Sequence, residues 1–204
     1  MRKTAMVVVI AALLVGLALV GYSAAQAPGL TPLEELGRFL YFDENLSEPA
    51  GQSCASCHDP DFGFADPDQN LPVSEGVIEG LFGGRNSPSS SYAMYAPIRH
   101  IDAEGLYVGG QFWDSRATGD VLGDPLADQA VGPFLNPVEM ANTSEAQVID
   151  DVKASEYANL FEEVWGDKSL DVVETAYDQV GLSIAAFERT TLFGQFSSKY
   201  DAYL

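Results

Sequence analysis

The strongest apolar periodicity lies late in the chain, where Val172, Val173, Ala176, Val180, Ile184 and Phe187 recur at helical spacing and predict one long helix over about 170–192. A stripe at that spacing reads as buried core. Nearer the start, Thr31-Pro32-Leu33-Glu34 has the spacing of a capping box with proline at the first helical position. A helix is therefore expected over 32–41, with Leu33, Leu36 and Leu40 facing inward. Asp124-Pro125 opens a short helix to about 131, and Ser144 with Gln147 opens another to about 154. Ser155 is expected to cap a further helix that ends at Gly166. With no internal repeat and no convincing strand pair, the expected class is mainly α with long irregular loops.

Residues 43–119 break this pattern, being rich in Gly, Pro, Ser, Asp and Asn with only short apolar runs. Loops and brief helical turns are expected there. A stretch of that length in a compact domain needs something besides regular structure to hold it together, such as a bound prosthetic group.

Residues 1–27 read as a secretory signal peptide: Arg2 and Lys3 form the charged start, an apolar run covers 5–20, and small residues follow. Cleavage after Ser23-Ala24-Ala25 fits better than after Ala25-Gln26-Ala27, which would put Pro28 directly after the cut. The alternative is an uncleaved anchor, because a run of about 16 residues approaches the roughly 17–25 that span a bilayer. Either way the folded part, 28–204, is expected to be periplasmic or otherwise exported, with no membrane span after signal cleavage.

Cys54-Ala55-Ser56-Cys57-His58 holds the only two cysteines and one of the only two histidines. This is the attachment pattern of a c-type haem, in which two thiols add to the vinyl groups and the adjacent histidine ligates the iron. Other uses of such a pair are a disulfide, a thioredoxin-like redox site and a zinc site. Zinc would need His100 or a carboxylate to complete its ligands, and a redox pair would sit near a βαβ pattern that is not visible.

The length of 204 residues and 47% hydrophobic content suit one domain with a sizeable core. The formal charge is −20, and removing Arg2 and Lys3 with the leader takes it to −22. Such a field repels nucleic acid and steers a basic protein inward, while also serving solubility.

From Leu36 onward the chain resembles the N-terminal domain of the bacterial di-haem cytochrome c peroxidases, the family that includes the MauG enzyme of methylamine dehydrogenase maturation. The resemblance rests on Leu36-Gly37-Arg38-Phe39-Leu40-Tyr41-Phe42-Asp43, the haem motif, Arg85-Asn86-Ser87-Pro88, Gln111-Phe112-Trp113-Asp114-Ser115-Arg116-Ala117 and Gln129-Ala130. It continues through Gly132-Pro133-Phe134-Leu135-Asn136-Pro137-Val138-Glu139-Met140, Ala185-Ala186-Phe187-Glu188-Arg189-Thr190 and Tyr200-Asp201-Ala202-Tyr203-Leu204.

The resemblance implies a cytochrome c-like domain carrying one covalent haem c, with His58 as proximal ligand, that reduces hydrogen peroxide to water. The electrons would come from a small electron-donor protein of cytochrome c or cupredoxin type. Glu139 and Gln129 match the distal positions. Heterolysis of peroxide needs a proton taken from one oxygen and returned to the other, which a carboxylate desolvated by Phe134, Leu135, Val138 and Met140 can do. Trp113 matches a tryptophan between the two haems that helps electrons pass; its alternative role is core packing. Asn86 matches a calcium-binding position at the domain boundary. Arg116 is a candidate partner of a haem propionate or of a surface carboxylate.

The chain also departs from the family pattern. Many members carry a distal histidine shortly before the Arg-Asn-Ser-Pro motif, and residues 71–84 contain none, which implies an iron open to peroxide without reductive activation. His100 is the only other histidine, and the 96–110 connection around it is longer than in the best-known members. The family's second haem domain would follow position 204. A monohaem electron-transfer cytochrome with Met94 or Met140 as sixth ligand, and a MauG-like oxidase acting on a protein substrate, are the alternative readings.

Overall fold

In the computed structural model, residues 29–68 and 70–204 are described; the expected leader lies outside them. Every element belongs to the unit Thr31–Leu204. In chain order the helices are α1 (Pro32–Phe42), α2 (Cys54–Cys57), α3 (Pro125–Ala130), α4 (Glu145–Ala154), α5 (Ala158–Trp165) and α6 (Val173–Glu188). The class is mainly α, as expected.

The start signals act as their chemistry dictates. Thr31 and Glu34 close the capping box on α1. The Asp124 carboxylate caps α3 ahead of Pro125, and the Ser144 hydroxyl caps α4. Elsewhere the boundaries shift. The Ser155 hydroxyl bonds back to the Val152 carbonyl, so it closes α4 and α5 begins only after Tyr157. The long helix is shorter than its periodicity: a 3₁₀ turn at Ser169–Asp171 precedes it, and Val172 is exposed.

Helix α6 is the spine, packed against α1 and α3. A Cβ on Gly37 would stand 1.9 Å from the Ser183 carbonyl oxygen, and one on Gly181 would stand 2.7 Å from Val131 Cγ1. Only glycine lets the elements approach this closely. Leu36, Leu40, Ile184 and Phe187 fill the α1–α6 seam and are at most 2% exposed. Tyr41, Phe64, Phe187 and Phe193 extend it as an aromatic cluster, with Phe64 stacked on Phe193 at 4.0 Å between ring centres.

The loop region 43–119 carries 3₁₀ turns at Glu44–Leu46, Pro60–Phe62 and Ala93–Tyr95. It also holds a strand pair that the sequence pattern did not suggest: β1 (His100–Ile101) pairs antiparallel with β2 (Tyr107–Val108). Two residues a side are too few to alternate visibly, and all four are exposed. Among the described residues no helix is long and apolar enough to cross a membrane.

Candidate functional site: a cavity walled by the CxxCH turn

Helix α2 is one turn long, and the Ser53 N–H is satisfied by the Ser56 hydroxyl at 3.0 Å. Three residues apart, the Cys54 and Cys57 thiols lie on one face of this turn. Both are free and border a cavity of about 640 Å³. Burial pushes both thiols up, so both stay protonated; at Cys57 a Ser74 hydrogen bond opposes part of the rise.

His58 ends the turn with its N–H on the Cys54 carbonyl at 3.0 Å. Its Nδ1 faces the Phe64 carbonyl at 3.3 Å, and the Tyr41 hydroxyl donates to the His58 carbonyl at 2.9 Å. With Nδ1 as the donor, Nε2 is left as a lone-pair ligand in the cavity wall. Burial lowers the pKa of the ring and favours its neutral form. Tyr41 and Phe64 both belong to the aromatic cluster, so the core itself orients the histidine.

Helix α3 and the segment after it bring Gln129, Pro133, Asn136, Glu139 and Met140 to the same cavity. A turn at Pro133–Leu135, followed by the Glu139 N–H bonding the Asn136 carbonyl at 3.0 Å, aims this segment inward. Burial raises the Glu139 pKa, while Arg116 and an Asn136 hydrogen bond oppose the rise. Met140 borders the same cavity, whereas Phe134 is buried in the core and does not line it; Leu135 is exposed, yet lines a smaller adjoining pocket with Glu139.

The rim is the loop that carries Trp113. Phe112 (φ 65°) and Ser115 (φ 55°) adopt left-handed backbone, which costs about 1–3 kcal/mol each. The loop is held by the Gln111 N–H on the Ala117 carbonyl (2.8 Å), by the Gln111 amide on the Ala93 carbonyl (2.7 Å) and by the Arg116 guanidinium 3.6 Å over the Phe112 ring. Trp113 is 66% exposed, with its Nε1 donating to the Asn86 carbonyl at 2.8 Å. Core packing is therefore not its role. Arg85 (2.6 Å) and Arg116 (2.9 Å) share Asp114, whose carboxyl is held down to about 2 by the Arg85 hydrogen bond first and by Arg116 second. Two guanidinium groups thus stand at the cavity of a strongly acidic chain.

These residues fit a covalent haem. Two protonated thiols, a half-buried imidazole whose Nδ1 is engaged, a largely apolar cavity of ligand size and two guanidinium groups suited to propionates are all present. The competing uses of the cysteines fit less well. Among the described residues no three His, Cys, Asp or Glu side chains converge as a metal-binding group, and no βαβ unit is present. Asn86 reaches the cavity, with its amide donating to the Pro72 carbonyl at 3.1 Å, and Arg116 borders the cavity while pairing with the surface carboxylate of Asp114. Met140 borders the cavity, whereas Met94 and His100 do not; His100 sits exposed on β1.

Among the cavity residues with no role assigned from the sequence, Gln52, Arg85 and Glu188 have contacts or burial that matter. Gln52 reaches Cys57 Sγ at 3.6 Å and the Glu75 carbonyl at 3.0 Å. Arg85 completes the rim. Glu188 is only 4% exposed, and a signal for it exists: it follows Ala176, Val180 and Ile184 at intervals of four, an acid on the buried stripe.

The chain matches known proteins over most of its described length. The family model described as di-haem cytochrome c peroxidase matches residues 31–204. The methylamine utilization protein MauG of Paracoccus denitrificans is 43% identical over 184 residues, covering 88% of this chain and 46% of that protein. The cytochrome c551 peroxidase of Pseudomonas aeruginosa is 31% identical over 172 residues, covering 83% and 41%. The crystal structure of the diheme peroxidase BthA from Burkholderia thailandensis superposes with a TM-score of 0.78 at 34% identity, over 90% of this chain and 44% of that one. The chain thus spans somewhat less than half the length of these relatives.

Proposed function

Because the chain belongs to the di-haem cytochrome c peroxidase family, we propose that residues 28–204 form its peroxide-reacting haem domain, exported by the leader at 1–27. Cys54 and Cys57 attach one haem c and His58 ligates its iron. The observation that carries this reading is one cavity bringing the attachment turn together with Glu139 and Gln129. When bound, the haem would supply redox-active iron for peroxide chemistry. The overall reaction takes hydrogen peroxide, two electrons and two protons to two waters, the electrons coming from a small cytochrome c or cupredoxin-type donor that the acidic surface steers if its contact face is basic.

The side chains divide the remaining work. Glu139 removes a proton from one peroxide oxygen and delivers it to the other, and its desolvated setting brings its pKa closer to neutrality, where such a shuttle works best. The Gln129 amide orients the peroxide. Arg85 and Arg116 hold the propionates, and Trp113 at the rim relays electrons to a second redox centre. Calcium near Asn86 would be completed by groups outside this cavity. Rapid mixing of the haem-loaded chain with hydrogen peroxide tests the assignment: a fast optical change that Glu139→Gln slows supports it, and an equally fast change in the variant overturns the role of Glu139.

A MauG-like oxidation of a protein substrate is a second reading, favoured by the exposed Trp113 and by His58 being the one histidine at the cavity. Oxidised tryptophan products on a partner protein would distinguish it from simple peroxide removal.

A further inference from the structure

Glu188, at the end of α6, is a second acid at the cavity, and the peroxide chemistry above does not use it. Its side chain is buried against the cavity wall, and Oε2 has no hydrogen-bond partner. Its neighbour Arg189 is turned away, donating to Asp124 Oδ2 at 2.6 Å and to the Met94 carbonyl at 3.1 Å. No cation therefore pairs with the Glu188 carboxyl. The other groups facing it are Tyr41 from α1, Cys54 from α2, the Ser90 hydroxyl and, more remotely, Asp124. Tyr41 and Cys54 are neutral and Asp124 is repulsive.

We propose that Glu188 is a redox-linked proton site of the haem pocket, its proton occupancy rising when the iron gains one electron and falling on reoxidation. This rests on the reading that the cavity holds a haem. The electron comes from the donor protein and the proton from solvent; ferric iron and a Glu188 carboxylate become ferrous iron and a Glu188 carboxylic acid. Charge is conserved, and the added electron in the low-dielectric pocket is neutralised by the proton.

Burial, opposed in part by Ser90 and Arg189, pushes the Glu188 carboxyl up to about 8, where it can change state under physiological conditions. A unit change of charge on the order of 10 Å away, at an effective dielectric of about 20, alters proton affinity about tenfold. That is enough to separate the ferric from the ferrous pKa by about one unit.

The test is an optical redox titration of the haem-loaded chain and of Glu188→Gln between about pH 6 and pH 10. In the parent chain the reduction equilibrium should fall about tenfold in total as pH rises through the region around pH 8 to 9, or about 59 mV for one electron. In the variant that region should be flat while the haem spectrum is unchanged. A parent chain flat throughout, or a slope that survives in Glu188→Gln, overturns the proposal. Should the variant not fold, infrared difference spectra of the parent chain decide: a protonated-carboxyl band appearing on reduction near pH 8 supports it, and its absence overturns it. A chain with no covalent haem would overturn the haem reading itself.

Discussion

Substituting Gly37→Ala tests how the core holds the site. The added methyl would lie 1.9 Å from the Ser183 carbonyl oxygen, 2.7 Å from its carbon and 2.9 Å from Phe187 Cβ. Ordinary contact needs about 3.5 Å, so α1 and α6 must part by about 1.5 Å, and none of these atoms is a flexible tip that could yield. Overpacking of this kind costs about 1–3 kcal/mol, and the gap also weakens the seam made by Leu36, Leu40, Ile184 and Phe187. Alanine returns about 1 kcal/mol in helix propensity. The net loss should be about 2 kcal/mol, which lowers Tm by about 4–8 °C for a domain of this size. Thermal unfolding of the haem-loaded chain, followed by far-ultraviolet circular dichroism and haem absorbance, measures it. Because Tyr41 on α1 holds the His58 carbonyl, the haem band should also shift before unfolding. An unchanged or raised Tm would refute the close helix approach.

Further outcomes can be checked on the same material. Glu139→Gln should slow peroxide cleavage by roughly 10² to 10⁴, the usual range for a lost general acid or base. The proton-accepting form of Glu139 is the carboxylate, so the peroxide rate should rise with pH through a midpoint above the ordinary carboxylate range; a flat acidic limb would contradict this. Arg116→Gln removes a charge that lowers the Glu139 pKa, so stopped-flow profiles should show that midpoint moving further up; a downward move would remove Arg116 from the pair. Trp113→Phe should leave stability within about 0.5 kcal/mol, because the side chain is mostly exposed, yet should slow electron delivery to an external partner; a large loss of Tm would restore a packing role.

Features written in local chemistry were legible before the fold. The capping box at Thr31, the proline after Asp124 and the Ser144 cap need only neighbours in sequence, and the CxxCH turn carries its purpose in its spacing. What escaped depends on distance through space. Arg85 and Arg116 meet on Asp114 across 29 residues of loop, as seen from Arg85. The β1–β2 pair is too short to alternate, and Ser155 could cap either neighbouring helix until the Val152 carbonyl claimed it. Val172 read as core and Leu135 as apolar surroundings of Glu139, yet a helix start and a tight 3₁₀ turn leave both exposed. Glu188 stood on the buried stripe, but only the cavity behind it gives an acid there a purpose.

The most direct test of the account is to produce the chain in cells with the c-type haem attachment machinery and weigh the denatured protein beside its Cys54→Ala/Cys57→Ala variant. The account predicts one covalently held haem on the parent chain and none on the variant. A parent chain without haem, or haem retained by the variant after denaturation, would contradict it.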